Sequence, residues 1–132
     1  MAKTVAEKLL IKPETTVWCS DPAALDRVGP LPPGARTVDS LAEAATGLVF
    51  ADSAEAVRAV LDAHEGELAG PAAFWVAYPK AGRADINRDS LWPILADYGM
   101  RPISQVAVDE VWSALRFRPN KPGEDRFTGG RA

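Results

Sequence analysis

The residues best suited to chemistry lie in one polar loop, residues 79–88, and at its borders. The loop follows an apolar stretch, residues 72–78, that we predict to be the central strand of a sheet. Open α/β sheets bind ligands beyond the carboxyl ends of their strands, so this loop is a candidate site. The candidate ligand-binding residues here are Tyr78, Lys80, Asp85, Asn87 and Arg88.

Two interpretations of this loop remain open. Lys80 and Arg88, together with the N-terminal amides of the helix that follows, are suited to bind a small anion. Alternatively the loop is only solvated, and Asp85, Asn87 and Asp89 form turns and caps.

Asp39 is a further candidate because it ends the predicted second strand, residues 36–39, where such folds hold a ribose hydroxyl. A lone Asp at a strand end also serves as a turn or cap residue. The turn after the first strand, CSDPAA at residues 19–24, contains no glycine, and Asp21 places a negative charge where a phosphate would lie. This turn argues against the binding of a dinucleotide. It argues less strongly against the binding of a ligand that offers an amine there.

Nucleophilic and metal chemistry find little support in the sequence. His64 is the single histidine, and it lies on the apolar stripe of a predicted helix, which favours a packed side chain. Cys19 is the single cysteine, which excludes an internal disulfide and a cysteine-based zinc cluster. We therefore predict no metal, no catalytic triad and a reducing, cytoplasmic location.

Predicted helices and strands alternate along the chain. We predict helices at residues 5–11, 23–28, 54–68 and 90–98, and strands at residues 15–19, 36–39, 48–51, 72–78, 103–108 and 111–117. This order predicts an α/β, three-layer, Rossmann-like fold with a mostly parallel sheet of about six strands and an antiparallel C-terminal strand pair. We expect one domain over residues 1–119 and a disordered tail over residues 120–132.

Charge and aromatic content limit the expected partners. The net charge is −3, although basic residues are concentrated in the C-terminal segment 116–132. That segment has few of the features of a nucleic-acid-binding surface, so we do not expect nucleic acid as a partner. No apolar run is long enough to span a membrane, so we do not expect a membrane as a partner either. Trp112 and Phe117 in the last predicted strand are core residues or, alternatively, the contact of a homodimer.

Several stretches resemble a cut-down class I methyltransferase. The segment before their first strand resembles IKPETTV at residues 11–17 of this chain, and the segment before their fourth strand resembles LAGP at residues 68–71. The start of their C-terminal hairpin resembles GMRP at residues 99–102. Three further stretches resemble a family of small uncharacterised bacterial proteins with no assigned activity. They are WVAYPK at residues 75–80, DINRDSLW at 85–92 and QVAVDEVWSALRFRP at 105–119.

The resemblance implies a methyltransferase-like domain, but the glycine-rich cofactor loop and the motif that follows the fourth strand are both missing. We therefore expect a non-catalytic domain, with no cofactor, that binds a small anion or a protein partner. Two alternatives are a divergent S-adenosylmethionine-dependent methyltransferase or other small-molecule enzyme, and a structural homodimer.

Overall fold

Helices and strands alternate in the computed structural model, which describes residues 4–68, 70–80 and 88–124. The α-helices of this part of the chain are α1 (Val5–Lys8), α2 (Ala54–Ala63) and α3 (Arg88–Ala96), and two 3₁₀-helices span Pro22–Arg27 and Leu41–Glu43. The strands are β1 (Thr16–Cys19), β2 (Arg36–Thr37), β3 (Thr46–Phe50), β4 (Ala73–Pro79), β5 (Met100–Ala107) and β6 (Trp112–Pro119).

The six strands form one sheet in the order β2-β1-β3-β4-β6-β5. The first four strands of this order are parallel, β6 is antiparallel to β4, and β5 is antiparallel to β6. This arrangement confirms the predicted α/β fold with a mostly parallel sheet and an antiparallel C-terminal pair. It also brings the carboxyl ends of β1, β2, β3 and β4 to one edge, where a ligand site is expected.

Apolar side chains cover both faces of the sheet and produce the three layers. On one face Phe74 and Val76 pack with residues of α2 and α3. On the other face Trp75 packs against α1 and the segment after it, and its indole Nε1–H donates to the carbonyl oxygen of Leu9 at 3.0 Å. Every residue of β4 is buried, which is why its sequence is a continuous apolar run.

Helix α2 is shorter than the predicted helix over residues 54–68. Its N-terminus is as expected, because the Ser53 hydroxyl caps it by accepting from the Ala56 N–H at 3.0 Å. The helix ends at Ala63, with His64 as its C-cap and Gly66 at φ +89° shortly after. The apolar stripe continues to Leu68 only as a turn, so the periodic pattern misplaced the end of the helix. Gly66 is the stop signal that the prediction overlooked.

The C-terminal strands begin and end at other residues than predicted. β5 begins at Met100 and contains Pro102, which the outer strand of a sheet tolerates because that strand has an unpaired side. The connection to β6 contains no glycine. Instead, the Asp109 carboxylate accepts from the N–H groups of Val111 and Trp112 at 2.8 and 2.7 Å, which closes the turn through a side chain.

The first residues of the predicted tail make contacts with the strands. Asn120 Oδ1 accepts from Arg101 Nε at 2.9 Å, and the Glu124 carboxylate pairs with Arg101 and Arg118. Residues 125–132 lie outside the described residues, so the extent of a disordered tail stays a prediction. Within the described part of the chain, no helix combines the length and apolar character needed to cross a membrane.

Candidate functional site

Two cavities open at the edge of the sheet where the parallel strands end. The first, which we call the β1–β2 cavity, has a volume of about 420 Å³. The second, the β3–β6 cavity, has a volume of about 590 Å³. Both volumes fall within the range of small-molecule sites.

The β1–β2 cavity is formed by the ends of β1 and β2 and the end of α2. Asp39, predicted as a ribose-binding residue, lines it with an exposed side chain. The cavity combines apolar walls with a few polar groups, which is the usual composition of a small-molecule site. Its lining residues are Trp18, Cys19, Ser20, Pro22, Leu25, Thr37, Val38, Asp39 and His64.

The turn between the two cavities is held by its own hydrogen bonds. The Asp21 carboxylate accepts from the Ala23 N–H at 3.2 Å, and the Asp21 carbonyl accepts from the Ala24 N–H at 2.9 Å. Pro22 has no N–H to offer. Because these amides are already paired, they are not free to bind a pyrophosphate.

Cys19 lies beside this turn and is not arranged as a nucleophile. Its Sγ–H donates to the Asp21 carbonyl oxygen at 3.1 Å. Burial raises the pKa of the Cys19 thiol, although the hydrogen bond to Asp21 opposes the effect. A thiol whose pKa is raised forms less thiolate, which is the reactive species.

The β3–β6 cavity is acidic and aromatic. Its carboxylates come from Asp21, Asp26 and Asp52, and its aromatic wall comes from Phe50 and Trp112, whose rings meet edge to face with centroids 5.4 Å apart. The Arg27 guanidinium lies 5.2 Å from the centroid of the Trp112 ring. Arg27 also approaches the Asp109 carboxylate at 3.9 Å, an exposed pair that contributes little to stability.

Two of the predicted residues around β4, Tyr78 and Lys80, lie outside both cavities. Tyr78 is buried, and its hydroxyl accepts from Gln105 Nε2 at 2.8 Å. Lys80 Nζ donates to the Asp109 carbonyl oxygen at 2.7 Å. Asp85 and Asn87 lie outside the described residues, and Arg88 is described only as the first residue of α3. The role of this group as a ligand site stays a prediction.

The structure does not bring Asp39 together with Tyr78 and Lys80. β1 and β3 lie between β2 and β4 in the sheet, and neither cavity contains residues of both groups. Phe117, considered as part of a dimer contact, is buried, and Trp112 packs against Phe50. The homodimer therefore stays a prediction. Phe117 and Trp112 make contacts within the chain, so they do not mark an obvious dimer surface.

The sequence interpretation missed several cavity residues. Asp52 lies two residues beyond the carboxyl end of β3, so the rule for open sheets could have identified it. His64, Arg27 and Trp112 are brought to the cavities from distant parts of the chain, and no local pattern marks them. Among the described residues, no group of three or more His, Cys, Asp or Glu side chains could hold a metal ion.

Comparison with solved structures finds a similar fold in two proteins described as methyltransferases. The chain is similar to Sp1610 of Streptococcus pneumoniae, described as a tRNA (m1A22) methyltransferase, with 12% identity and a TM-score of 0.56 over 98% of this chain and 74% of that one. It is similar to the m1A22 tRNA methyltransferase TrmK of B. subtilis, with 14% identity and a TM-score of 0.52 over 89% of this chain and 64% of that one.

A third similar structure is a cysteine-to-alanine variant of LepI in complex with SAH and a substrate analogue. The identity is 12% and the TM-score 0.52, over 88% of this chain and 39% of that one. The chain is thus shorter than the proteins it resembles. No protein-family model matches the sequence, and no curated protein matches it. At these identities the similarities establish the fold alone, which is Rossmann-like.

These similarities overturn the expectation of a non-catalytic domain that is not an enzyme. That expectation rested on the missing glycine-rich loop and the missing motif after the fourth strand. Structures of proteins named as methyltransferases nevertheless match nearly the whole chain. They favour the stated alternative, a methyltransferase, so the preferred function inferred from the sequence was wrong.

Proposed function

We propose that this domain is an S-adenosylmethionine-dependent methyltransferase. The observation that carries the proposal is that Asp39 shares the β1–β2 cavity with the carboxyl end of β1. In a Rossmann-like fold the acidic residue after the second strand is placed to accept hydrogen bonds from ribose hydroxyls. The β1–β2 cavity would hold the nucleoside of the cofactor.

The unusual turn after β1 fits this cofactor better than it fits a dinucleotide. S-adenosylmethionine has no phosphate, and it carries positive charge on a sulfonium and an ammonium group. Asp21, whose charge opposes a pyrophosphate, favours such a cation by Coulomb attraction. The paired amides of Ala23 and Ala24 are therefore no obstacle.

The β3–β6 cavity lies on the other side of this turn and is the proposed place of the methyl acceptor. When bound, S-adenosylmethionine would supply an electrophilic methyl group. The methyl group would pass from the sulfonium sulfur to a nitrogen or oxygen of the acceptor, with S-adenosylhomocysteine as the leaving group and the proton of the acceptor released to solvent. Asp21, Asp26 and Asp52 would attract the cationic end of the cofactor toward this cavity. Phe50 and Trp112 would exclude water from one of its walls.

We further propose a small acceptor that is not a nucleic acid, unlike the acceptor named for Sp1610 and TrmK. The three carboxylates of the β3–β6 cavity outnumber its one guanidinium group, that of Arg27, and would repel a phosphate backbone. The cytoplasm of a bacterial cell is the proposed location, because a single cysteine suits a reducing compartment.

Calorimetric titration of the full chain with S-adenosylhomocysteine tests the proposal. The wild-type protein is expected to bind, and Asp39→Asn is expected to weaken binding about tenfold, because the charged acceptor of the ribose hydroxyls becomes a neutral one. Glu43→Gln is the matched control, since it neutralises an exposed acid outside both cavities and should leave binding unchanged. No binding to the wild-type protein at millimolar ligand would refute the proposal.

A further inference from the structure

His64 lies where it can contact a ligand in the β1–β2 cavity. It is the C-cap of α2 and lines this cavity together with Asp39. Its imidazole ring meets the Trp18 ring edge to face, with centroids 4.7 Å apart and an interplanar angle of 69°. The contact with Trp18, itself a buried residue of β1, fixes the plane of the imidazole.

Glu67 determines which nitrogen of this ring carries the proton. His64 Nδ1 lies 3.2 Å from Glu67 Oε2, and the Glu67 N–H donates to the His64 carbonyl at 2.9 Å. An ionised carboxylate can only accept, so Nδ1 must donate to it. In the neutral ring the other nitrogen, Nε2, is then an acceptor.

The β1–β2 cavity combines side chains that can accept hydrogen bonds with apolar walls. The Asp39 carboxylate and the His64 imidazole are two of these acceptors, beside the hydroxyls of Ser20 and Thr37. The walls come from Trp18, Leu25 and Val38. Such a pattern suits a nucleoside that offers hydroxyl donors on its sugar and an amino donor on its base. An adenine base has this amino group, whereas a 6-oxopurine presents a carbonyl oxygen at the same position.

We propose that His64, oriented by Glu67, makes the β1–β2 cavity selective for a 6-aminopurine nucleoside over a 6-oxopurine nucleoside. This inference rests on the proposed function, because it assigns a specificity-determining residue to the proposed cofactor cavity. His64 would contact the base, and Glu67 is a positioning residue that acts through His64.

The test compares S-adenosylhomocysteine with S-inosylhomocysteine, which differs from it only in the base. Both are titrated calorimetrically into the full chain at pH 8. We expect the wild-type protein to prefer the adenosyl ligand about tenfold, the effect of one well-formed hydrogen bond. Equal affinity for the two ligands would overturn the inference and leave the proposed function standing.

Variants separate a specific role of His64 from a structural one. His64→Ala should bring the ratio of the two affinities close to one. Glu67→Ala should reduce it, and Glu67→Gln, which keeps an acceptor for Nδ1, should restore it. Asp39→Asn should weaken the binding of both ligands alike and keep the preference, because the ribose is common to both.

If His64→Ala fails to fold, the comparison of Glu67→Ala with Glu67→Gln tests the inference. The same preference for the adenosyl ligand in these two variants would overturn it. If neither ligand binds to the wild-type protein, the proposed function fails and the inference fails with it.

Discussion

The Ser20 hydroxyl accepts a hydrogen bond from the Phe50 N–H at 2.9 Å. The Ser20 N–H in turn donates to the Leu48 carbonyl oxygen at 2.9 Å. Ser20 thereby extends the pairing of β1 with β3 by a side-chain link, in the segment where class I methyltransferases have a glycine-rich loop. A serine side chain therefore links two neighbouring strands at this point of the sheet.

Replacing Ser20 tests this link. Ser20→Ala leaves the partly buried Phe50 N–H without its acceptor, so we expect the free energy of unfolding to fall by about 1–2 kcal/mol. Ser40→Ala is the control, because Ser40 occupies an N-cap position and makes no side-chain capping hydrogen bond. Urea denaturation measures both variants, and equal losses of stability in the two would show that the Ser20 link is unimportant.

The fold could be predicted from the sequence further than the site could. The apolar run of β4 and the order of elements depend on local patterns, and these determined the α/β class and the parallel strands. Asp39 was predicted as a ligand residue because strand ends in such sheets have a known geometry, and the structure places it in a cavity lining, while its role stays a prediction. The contact of His64 with Trp18 and that of Arg27 with Trp112 join distant segments, and no spacing in the sequence encodes them.

Lys80 offers a direct test between a structural and a ligand-binding role. Its ammonium group donates to the Asp109 carbonyl oxygen at 2.7 Å and so connects the end of β4 to the turn before β6. We expect Lys80→Met to lower the free energy of unfolding by about 1–2 kcal/mol without any ligand present. Lys12→Ala, at an exposed lysine, should have little effect. Unchanged stability of Lys80→Met in thermal denaturation would instead favour the anion-binding interpretation.

Trp75 connects β4 to the N-terminal segment of the chain. Its indole N–H donates to the Leu9 carbonyl oxygen at 3.0 Å in a buried position. Trp75→Phe removes the only polar group of the side chain and leaves a gap beside it, so we expect a loss of about 2–3 kcal/mol. The free energy of unfolding from urea titration followed by circular dichroism measures the loss. A loss below about 0.5 kcal/mol, which is typical of surface substitutions, would contradict the importance of this contact.

Glu124 makes the C-terminal segment sensitive to acid. Its carboxylate accepts from Arg118 Nη1 and Nη2, both at 3.0 Å, and from the Lys121 N–H at 2.7 Å, while Arg101 Nη1 lies 3.1 Å away. The hydrogen bonds from Arg118, followed by the one from Lys121, lower the pKa of Glu124 from its ordinary value of 4.5 to about 2. Because the folded state holds the carboxylate ionised, these contacts stabilise the fold above pH 4.5, and their contribution is lost as the pH falls toward 2.

Carbon-detected NMR titration of the Glu124 carboxyl group measures this directly, with an expected midpoint of about 2. Arg118→Gln should raise the midpoint toward 4.5, because the largest cause of the lowered pKa is removed. The side chain is partly exposed to solvent, so Glu124→Gln should reduce stability only modestly at pH 7. The difference between Glu124→Gln and the wild-type protein should shrink as the pH is lowered from 4.5 to 2. A wild-type midpoint near 4.5 would mean that the segment containing Glu124 does not fold back onto β5 and β6 in solution.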